Sequence, residues 1–433
     1  MRKAIVGTLA LVTLLFFQPI QAQPDQVRLD LLASDIQPQV VEWRRWFHQH
    51  PELSNREFET SKRLAEILEG MGLEIETGIA GTGIIAMIEG GQPGPLVAVR
   101  ADIDGLPVTE QTGLEFSSVN TAVFNGQETG VMHACGHDAH MAIALGAAEV
   151  LNAVKDDLAG SVMFIFQPAE EGPPPGEEGG ASLMLEEGIW DDRKPEAVFG
   201  LHIGINQPGG QISVRPGGIM AAADIFQVTV NGKQTHGARP WNGVDPIVTA
   251  SQIILGLQTI ASRQVDVTKA PSIISVGRIQ GGIRNNVIPD SVFFEGTIRS
   301  FDPDMRKQIH ERMERTAISI GEAAGAEVEF TLLEGTPPLL NNAELLDRMM
   351  PTLKRVSGDN QVNNVQPQTV AEDFSVFSNA TPGLYFFLGN QEPGIDPETI
   401  PANHSPYFDV YEPNMEVGVK ALSQLVVDYL HGE

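Results

Sequence analysis

The chain has 433 residues, of which 42% are hydrophobic and 19% charged, with a formal net charge of −28. That length exceeds what one hydrophobic core usually organises, so two domains are expected. The acidic balance argues against nucleic acid and anionic membrane surfaces as partners, and a single cysteine, Cys135, leaves no intrachain disulfide to form.

At the start, Met1-Arg2-Lys3 and an apolar run over 4–17 lead to Gln18-Pro19-Ile20-Gln21-Ala22. A basic beginning, a short apolar stretch and a small residue at the cut describe a secretory signal peptide over residues 1–22. The run is shorter than a typical membrane span, and Gln23 stands where a lipoprotein anchor would need cysteine. The mature chain is therefore expected to be exported, to the periplasm or the medium, with no stable membrane anchor.

Between 40 and 71, two helical stretches flank His50-Pro51-Glu52-Leu53-Ser54-Asn55, the second running over 57–70 and stopping at glycine. Apolar runs follow at 83–88, 95–101, 161–166, 197–201 and, far downstream, 384–388. Their near-continuous hydrophobicity suits strands buried on both faces. Helical patterns at 139–154 and 180–187 lie between them, and the alternation predicts an α/β domain with a mainly parallel sheet and helices on both sides. After Arg215-Pro216-Gly217-Gly218 the rhythm changes to strand 224–231, helix 246–263, strands 272–280 and 291–299, helix 303–324 and strand 327–333. This β-α-β-β-α-β order is the ferredoxin-like pattern. It predicts an α+β domain, 217–332, inserted into a discontinuous first domain, 35–216 and 333–433.

The chemistry concentrates in a few clusters. His133-Ala134-Cys135-Gly136-His137-Asp138-Ala139-His140 leads into a helix that Asp138 could cap. Thiolate and imidazole are preferred ligands of zinc and related ions, and a pair two residues apart can reach one ion; a structural turn is the alternative. In Phe164-Ile165-Phe166-Gln167-Pro168-Ala169-Glu170-Glu171-Gly172 a strand runs into two glutamates. Adjacent residues leaving a strand point different ways, so one carboxylate can bind a metal while the other faces the substrate as general base. In isolation, the pair also reads as a solvated acidic turn. His202 directly follows the strand 197–201, and His404 sits in Ala402-Asn403-His404-Ser405-Pro406, shortly after the last strand. Alone, each reads as a structural histidine.

Their common placement changes that reading. In open parallel sheets ligands bind outside the carboxyl ends of the strands, and every cluster follows or trails such an end, as do Asp102 and Asp104. Five possible ligands on one rim fit a centre of two metal ions with a shared group. A metal lowers the pKa of water from about 15.7 to roughly 7 and polarises a carbonyl, while Glu170 would take the proton and pass it to a leaving amine. The chain has no Gly-x-Ser-x-Gly elbow, and Gly90-Gly91 and Gly281-Gly282 lack phosphate-loop spacing, so serine hydrolases and nucleotide binding are disfavoured. Thiolate favours zinc, whereas carboxylates and imidazoles also accept manganese, cobalt or nickel.

With these residues the chain resembles the metallopeptidase-like amidohydrolases that include aminoacylases, hippurate hydrolase and the plant hydrolases of indoleacetic acid conjugated to amino acids. The resemblance spans almost the whole mature chain, from Arg44-Arg45 and His48 to His404-Ser405-Pro406. Its specific motifs include Arg100-Ala101-Asp102, His133-Ala134-Cys135-Gly136-His137-Asp138, Pro168-Ala169-Glu170-Glu171-Gly172 and Asn285-Asn286-Val287-Ile288-Pro289-Asp290. It implies hydrolysis of N-acyl or conjugated amino acids, with Cys135, His137, Glu171, His202 and His404 as ligands of two divalent ions, Cys135 bridging. It further implies that Glu170 is the general base, that Asp104 orients a metal-binding residue and that Asp102 supports the ligands from behind. The inserted domain resembles a lid that often also forms a homodimer, and His236 and Asn286 resemble residues that meet the substrate or developing oxyanion, His236 sometimes across the dimer. Two segments depart from the family pattern and bear on specificity: a long turn over 172–180, and Arg284 after Gln280-Gly281-Gly282-Ile283. The rival expectations are a carboxypeptidase or dipeptidase using the same centre and a non-catalytic exported binding protein.

Overall fold

The computed structural model describes residues 23–358, 361–396 and 399–432; the expected signal peptide lies outside them. The helix Gln26–Gln49 comes first, with Asp25 accepting the Val27 N–H as its cap. It starts well before residue 40, because Leu29, Ala33, Val40, Trp43 and Phe47 form one buried helical stripe that carries Pro38 along inside it. The helix Phe58–Gly70 follows.

An eight-stranded sheet runs, edge to edge, Glu74–Ile79, Gly83–Glu89, Ala159–Gln167, Gln92–Asp102, Ala197–Pro208, Gly383–Gln391, Ile212–Val214 and Val362–Asn364. The four central strands, from Ala159–Gln167 to Gly383–Gln391, are mutually parallel. The flanks are not: Gly83–Glu89 pairs antiparallel with both of its neighbours, and Ile212–Val214 pairs antiparallel with Gly383–Gln391. An apolar run reveals burial on two faces but not strand direction, so the sheet is mainly parallel with antiparallel flanks. One core joins its first face to helices Gln26–Gln49, His137–Asn152, Ala343–Ser357 and Met415–His431, and a second joins the other face to Gly180–Glu186 and Phe374–Ala380. Each buried Leu, Ile or Phe in these layers contributes roughly 1.5–3 kcal/mol relative to exposure.

A separate four-stranded antiparallel sheet runs Ser272–Gly281, Ser291–Ser300, Asp224–Asn231, Glu327–Leu333. Along Asp224–Asn231 every second residue points inward, so Phe226, Val228 and Val230 meet the helices Pro246–Thr259 and Pro303–Ala324 in a third core. Both helices start at an aspartate followed by proline: Asp245 accepts from Ile247 and Val248, and Asp302 from Met305. This is the ferredoxin-like unit expected from the element order.

The chain enters that unit a few residues beyond Gly217. The short strand Gly217–Met220 pairs with Leu339–Asn341, and Ile219, Met220 and Leu339 lie in the core of the first unit. At the crossing, the buried Asp224 accepts hydrogen bonds from Arg306 (2.6 and 3.0 Å), His310 (2.8 Å) and the Gly335 N–H (3.0 Å), tying the entering strand to the returning one. No helix among the described residues is long and apolar enough to cross a membrane.

Candidate metal centre

Parallel strands deliver their carboxyl ends to one rim. Gln92–Asp102 ends at Asp102, two residues before Asp104, and Ala159–Gln167 ends just before Glu170 and Glu171. The strand expected to stop at Leu201 runs on to Pro208, so His202 lies within it, paired with Phe387 on one side; the ladder with Gln92–Asp102 on the other side ends at Gly200. Cys135 lies in the turn before helix His137–Asn152, where Gly136 at φ 102° is the cap residue. Asp138 does not cap that helix. It sits in the first turn with its side chain buried, 2.8 Å from Arg44 Nε and 2.9 Å from His48 Nδ1, because the buried Arg44 guanidinium needs a carboxylate there. The loop carrying His404 is fastened to the Cys135 turn by the His404 N–H on the Ala134 carbonyl (2.8 Å) and by the Asn403 amide on the Cys135 carbonyl (3.0 Å).

These elements bring the predicted side chains together. Cys135 Sγ lies 3.3 Å from His202 Nε2, His404 Nε2 lies 3.1 Å from Glu171 Oε1, and His137 Nε2 lies 3.8 Å from Glu170 Oε2. Three sets of donor atoms, each within 4.8 Å of one another, overlap here: Cys135 with His137 and His202, Cys135 with Glu171 and His404, and His137 with Glu170 and Glu171. The thiol thus belongs to two sets at once.

The surroundings turn each imidazole toward the centre. His137 donates from Nδ1 to the Asp104 carbonyl (2.8 Å) and His202 from Nδ1 to the Ile203 carbonyl (2.9 Å), leaving both Nε2 lone pairs free for the centre. His140 is different: Nδ1 donates to Asp102 (2.7 Å) and Nε2 accepts the Ile203 N–H (3.0 Å), so neither nitrogen is left for an ion. Asp102 also receives Arg100 at 2.7 Å, holds His140 through its other oxygen, and lies 3.8 Å from His137 Nε2.

The donors fit divalent ions on two counts. His137 Nε2 and Glu171 Oε1 are buried without a hydrogen-bond partner, the His404 contact being in ion-pair range but off the hydrogen-bond direction. Unpaired buried polar atoms cost about 1–3 kcal/mol each, a cost that coordination removes. A thiolate, imidazoles and a carboxylate are also the donor types that borderline divalent cations take.

Charge is focused at the same place. Burial, with help from Glu372, Glu171 and Asp373, holds the Glu170 carboxyl well above its ordinary range. Burial and the neighbouring His140 push His202 down to about 3, so it is neutral at pH 7. The neighbouring Cys135 thiol and Glu171 carboxylate raise His404 to about 10, while burial and Glu171 push the Cys135 thiol up. A bound cation reverses that last effect.

Sequence reading did not single out the wall behind Glu170. Arg100, buried in its strand, reaches Gln167 at 2.8 Å and Asp102 at 2.7 Å, and contacts Glu372 and Asp373 at 2.9 Å each. The Tyr385 hydroxyl donates to Glu372 at 2.6 Å. The one available signal was a charged residue interrupting an apolar strand, which demands a buried partner. A cavity of about 970 Å³ opens from the centre, lined by Cys135, Glu170, Glu171, His202, Glu372 and His404. His236 and Asn286 do not line it. They lie on neighbouring segments of the second unit, where Thr235–His236 pairs with Val287–Ile288 and the Gly237 N–H donates to the Asn286 carbonyl (2.9 Å), and both are exposed.

The family model for peptidase family M20/M25/M40 matches residues 98–428. Thermostable carboxypeptidase 1 of Saccharolobus solfataricus is 40% identical over 399 residues, covering 91% of this chain and 96% of that protein. N-acetyl-L-cysteine deacetylase of Bacillus subtilis is 39% identical over 359 residues, covering 82% of this chain and 81% of that protein. The solved structure of the Bacillus subtilis YxeP protein, described as a dinuclear metal-binding peptidase, is similar with a TM-score of 0.76 at 34% identity, covering 92% of this chain and 99% of that one. The chain is a metal-dependent amide hydrolase and belongs to peptidase family M20/M25/M40.

Proposed function

We propose that the protein hydrolyses the amide bond of N-acyl or conjugated amino acids at a centre of two divalent ions held by Cys135, His137, Glu171, His202 and His404, with Cys135 shared. The observation that carries this reading is the overlap of the donor sets at the thiol, with Glu170 beside them on the wall of the cavity. The ions, when bound, supply Lewis acidity toward water and the scissile carbonyl. Glu170 then takes the proton of the attacking water and delivers it to the departing amine, a task suited to a carboxyl held well above its ordinary range. Asp104 fixes the ring of His137 through its backbone carbonyl. The donor set suits zinc, or manganese, cobalt or nickel.

The likeness to N-acetyl-L-cysteine deacetylase supports an N-acyl amino acid as substrate. The second reading, a carboxypeptidase or dipeptidase, is supported by the likeness to thermostable carboxypeptidase 1. A release assay over acetyl, benzoyl and indoleacetyl amino acids beside dipeptides and longer peptides decides between them. Faster turnover of the N-acyl amino acids is expected; turnover of peptides alone would install the second reading.

The ferredoxin-like unit, which begins beyond Met220 and ends after Leu333, acts in this proposal as a lid and dimerisation domain on the catalytic domain that precedes and follows it. Its edge strand Ser272–Gly281 leaves Ile273 and Ile279 exposed, and Leu255 is 70% exposed on the neighbouring helix, a face suited to a second copy. His236 and Asn286 would meet the substrate on closure, or His236 would act on the partner's site. The leader over 1–22 supports export to the periplasm or medium.

A further inference from the structure

Glu57 is fully buried at the start of helix Phe58–Gly70, yet its side chain does not cap that helix. Its carboxylate instead crosses to the loop after the strand Ala159–Gln167. Oε1 accepts the Ala169 N–H at 2.9 Å, and Oε2 accepts the Thr82 hydroxyl at 2.7 Å. The next two amides end on the other buried carboxylate of this region: Asp104 Oδ1 accepts the Glu170 N–H at 3.1 Å and Oδ2 the Glu171 N–H at 3.0 Å. Three successive N–H groups therefore curl around two buried carboxyl groups, the arrangement of an anion-binding nest in which the acceptors belong to the protein itself.

The curl has a conformational cost that falls on one residue. Ala169 has φ 53°, the left-handed region that a residue with a Cβ rarely enters unless its surroundings hold it there. It is also buried, so without Glu57 its N–H would face no acceptor and no water. The turn at Ala169 sets the directions of the two residues that follow, sending the Glu170 carboxylate toward His137 and the Glu171 carboxylate toward His404.

We propose that Glu57 is the positioning residue of the Glu170–Glu171 pair: by accepting the Ala169 N–H it holds the left-handed turn that sends one carboxylate to the reacting water and the other to the metal. The proposal rests on the roles given above to Glu170 and Glu171. It assigns Glu57 no contact with substrate or ion.

The test measures Co²⁺ affinity by absorption titration and, separately, kcat and KM, in Glu57→Ala, Glu57→Asp and each combined with Ala169→Gly. Glu57→Ala should lose about 10–100-fold in both Co²⁺ affinity and kcat, the usual range for residues that orient a metal ligand, with KM little changed. Adding Ala169→Gly should restore part of both losses, because glycine enters positive φ freely. Glu57→Asp keeps the charge but withdraws it by one methylene; it should show a smaller loss with the same rescue, and it carries the test where Glu57→Ala does not fold. Parental affinity and kcat in a folded Glu57→Ala or Glu57→Asp, or a loss that Ala169→Gly leaves in full, would overturn the proposal. The Co²⁺ titration needs no substrate, so a parent that hydrolyses no amide would overturn the proposed substrate class and leave Glu57 to be judged on binding.

Discussion

Glu170 and Glu171 are one peptide bond apart, yet their carboxylates face different partners, His137 and His404. The Glu170 carboxylate stands in a crowd of like charge, with Glu372, Glu171 and Asp373 close enough to raise its proton affinity. Replacing it with glutamine preserves shape and removes the proton acceptor. Glu170→Gln should therefore lower kcat by about 10²–10⁴-fold while elemental analysis finds the parental metal content; a variant with full turnover would take the base role away from Glu170. The sequence brought Glu170, Cys135, His137, His202 and His404 forward because each lies in a short motif at or after a strand end. Arg100 stood in a motif, but its partnership with Glu372 and Tyr385 stayed hidden, since the Arg100–Glu372 pair joins residues 272 positions apart and no local spacing encodes it. Asp138 looked like a cap from its position alone, and only the distant Arg44 and His48 reveal its other use.

At the scale of elements, helix Gln26–Gln49 docks onto helix His137–Asn152 through charge as well as apolar packing. Arg44 Nη2 reaches Asp409 at 2.6 Å in addition to its contact with Asp138, and His48 Nε2 lies 3.1 Å from Glu110. Burial alone would lower the pKa of His48, but Asp138 and Glu110 outweigh it and raise it from 6.5 to about 9. A folded-state pKa above the unfolded one contributes stability that is complete below about 6.5 and fades as pH rises through about 9. Melting temperature should accordingly decline across that window, and His48→Gln should remove that part of the slope; an unchanged slope in the variant would show that His48 is not its source. The elements of the second unit matched expectation closely because the Asp245-Pro246 and Asp302-Pro303 starts and the left-handed Gly325 stop are local signals. Helix Met415–His431, buried over most of its surface, lies outside the elements expected from the sequence.

For the whole molecule, the decisive fact is directional. Four adjacent parallel strands end on one rim, and loops from residues as far apart as Asp104 and His404 meet there around the only cysteine. The second unit is joined through the Asp224 crossing, and no residue of 224–333 lines the cavity beside the centre. The measurement that bears most directly on this account strips the purified protein of metal with a chelator, counts the ions it held, and follows amino-acid release from N-acyl amino acids before and after ions are returned. The account predicts two divalent ions per chain, loss of hydrolysis on their removal and recovery on their return. Undiminished hydrolysis by the stripped protein would contradict it.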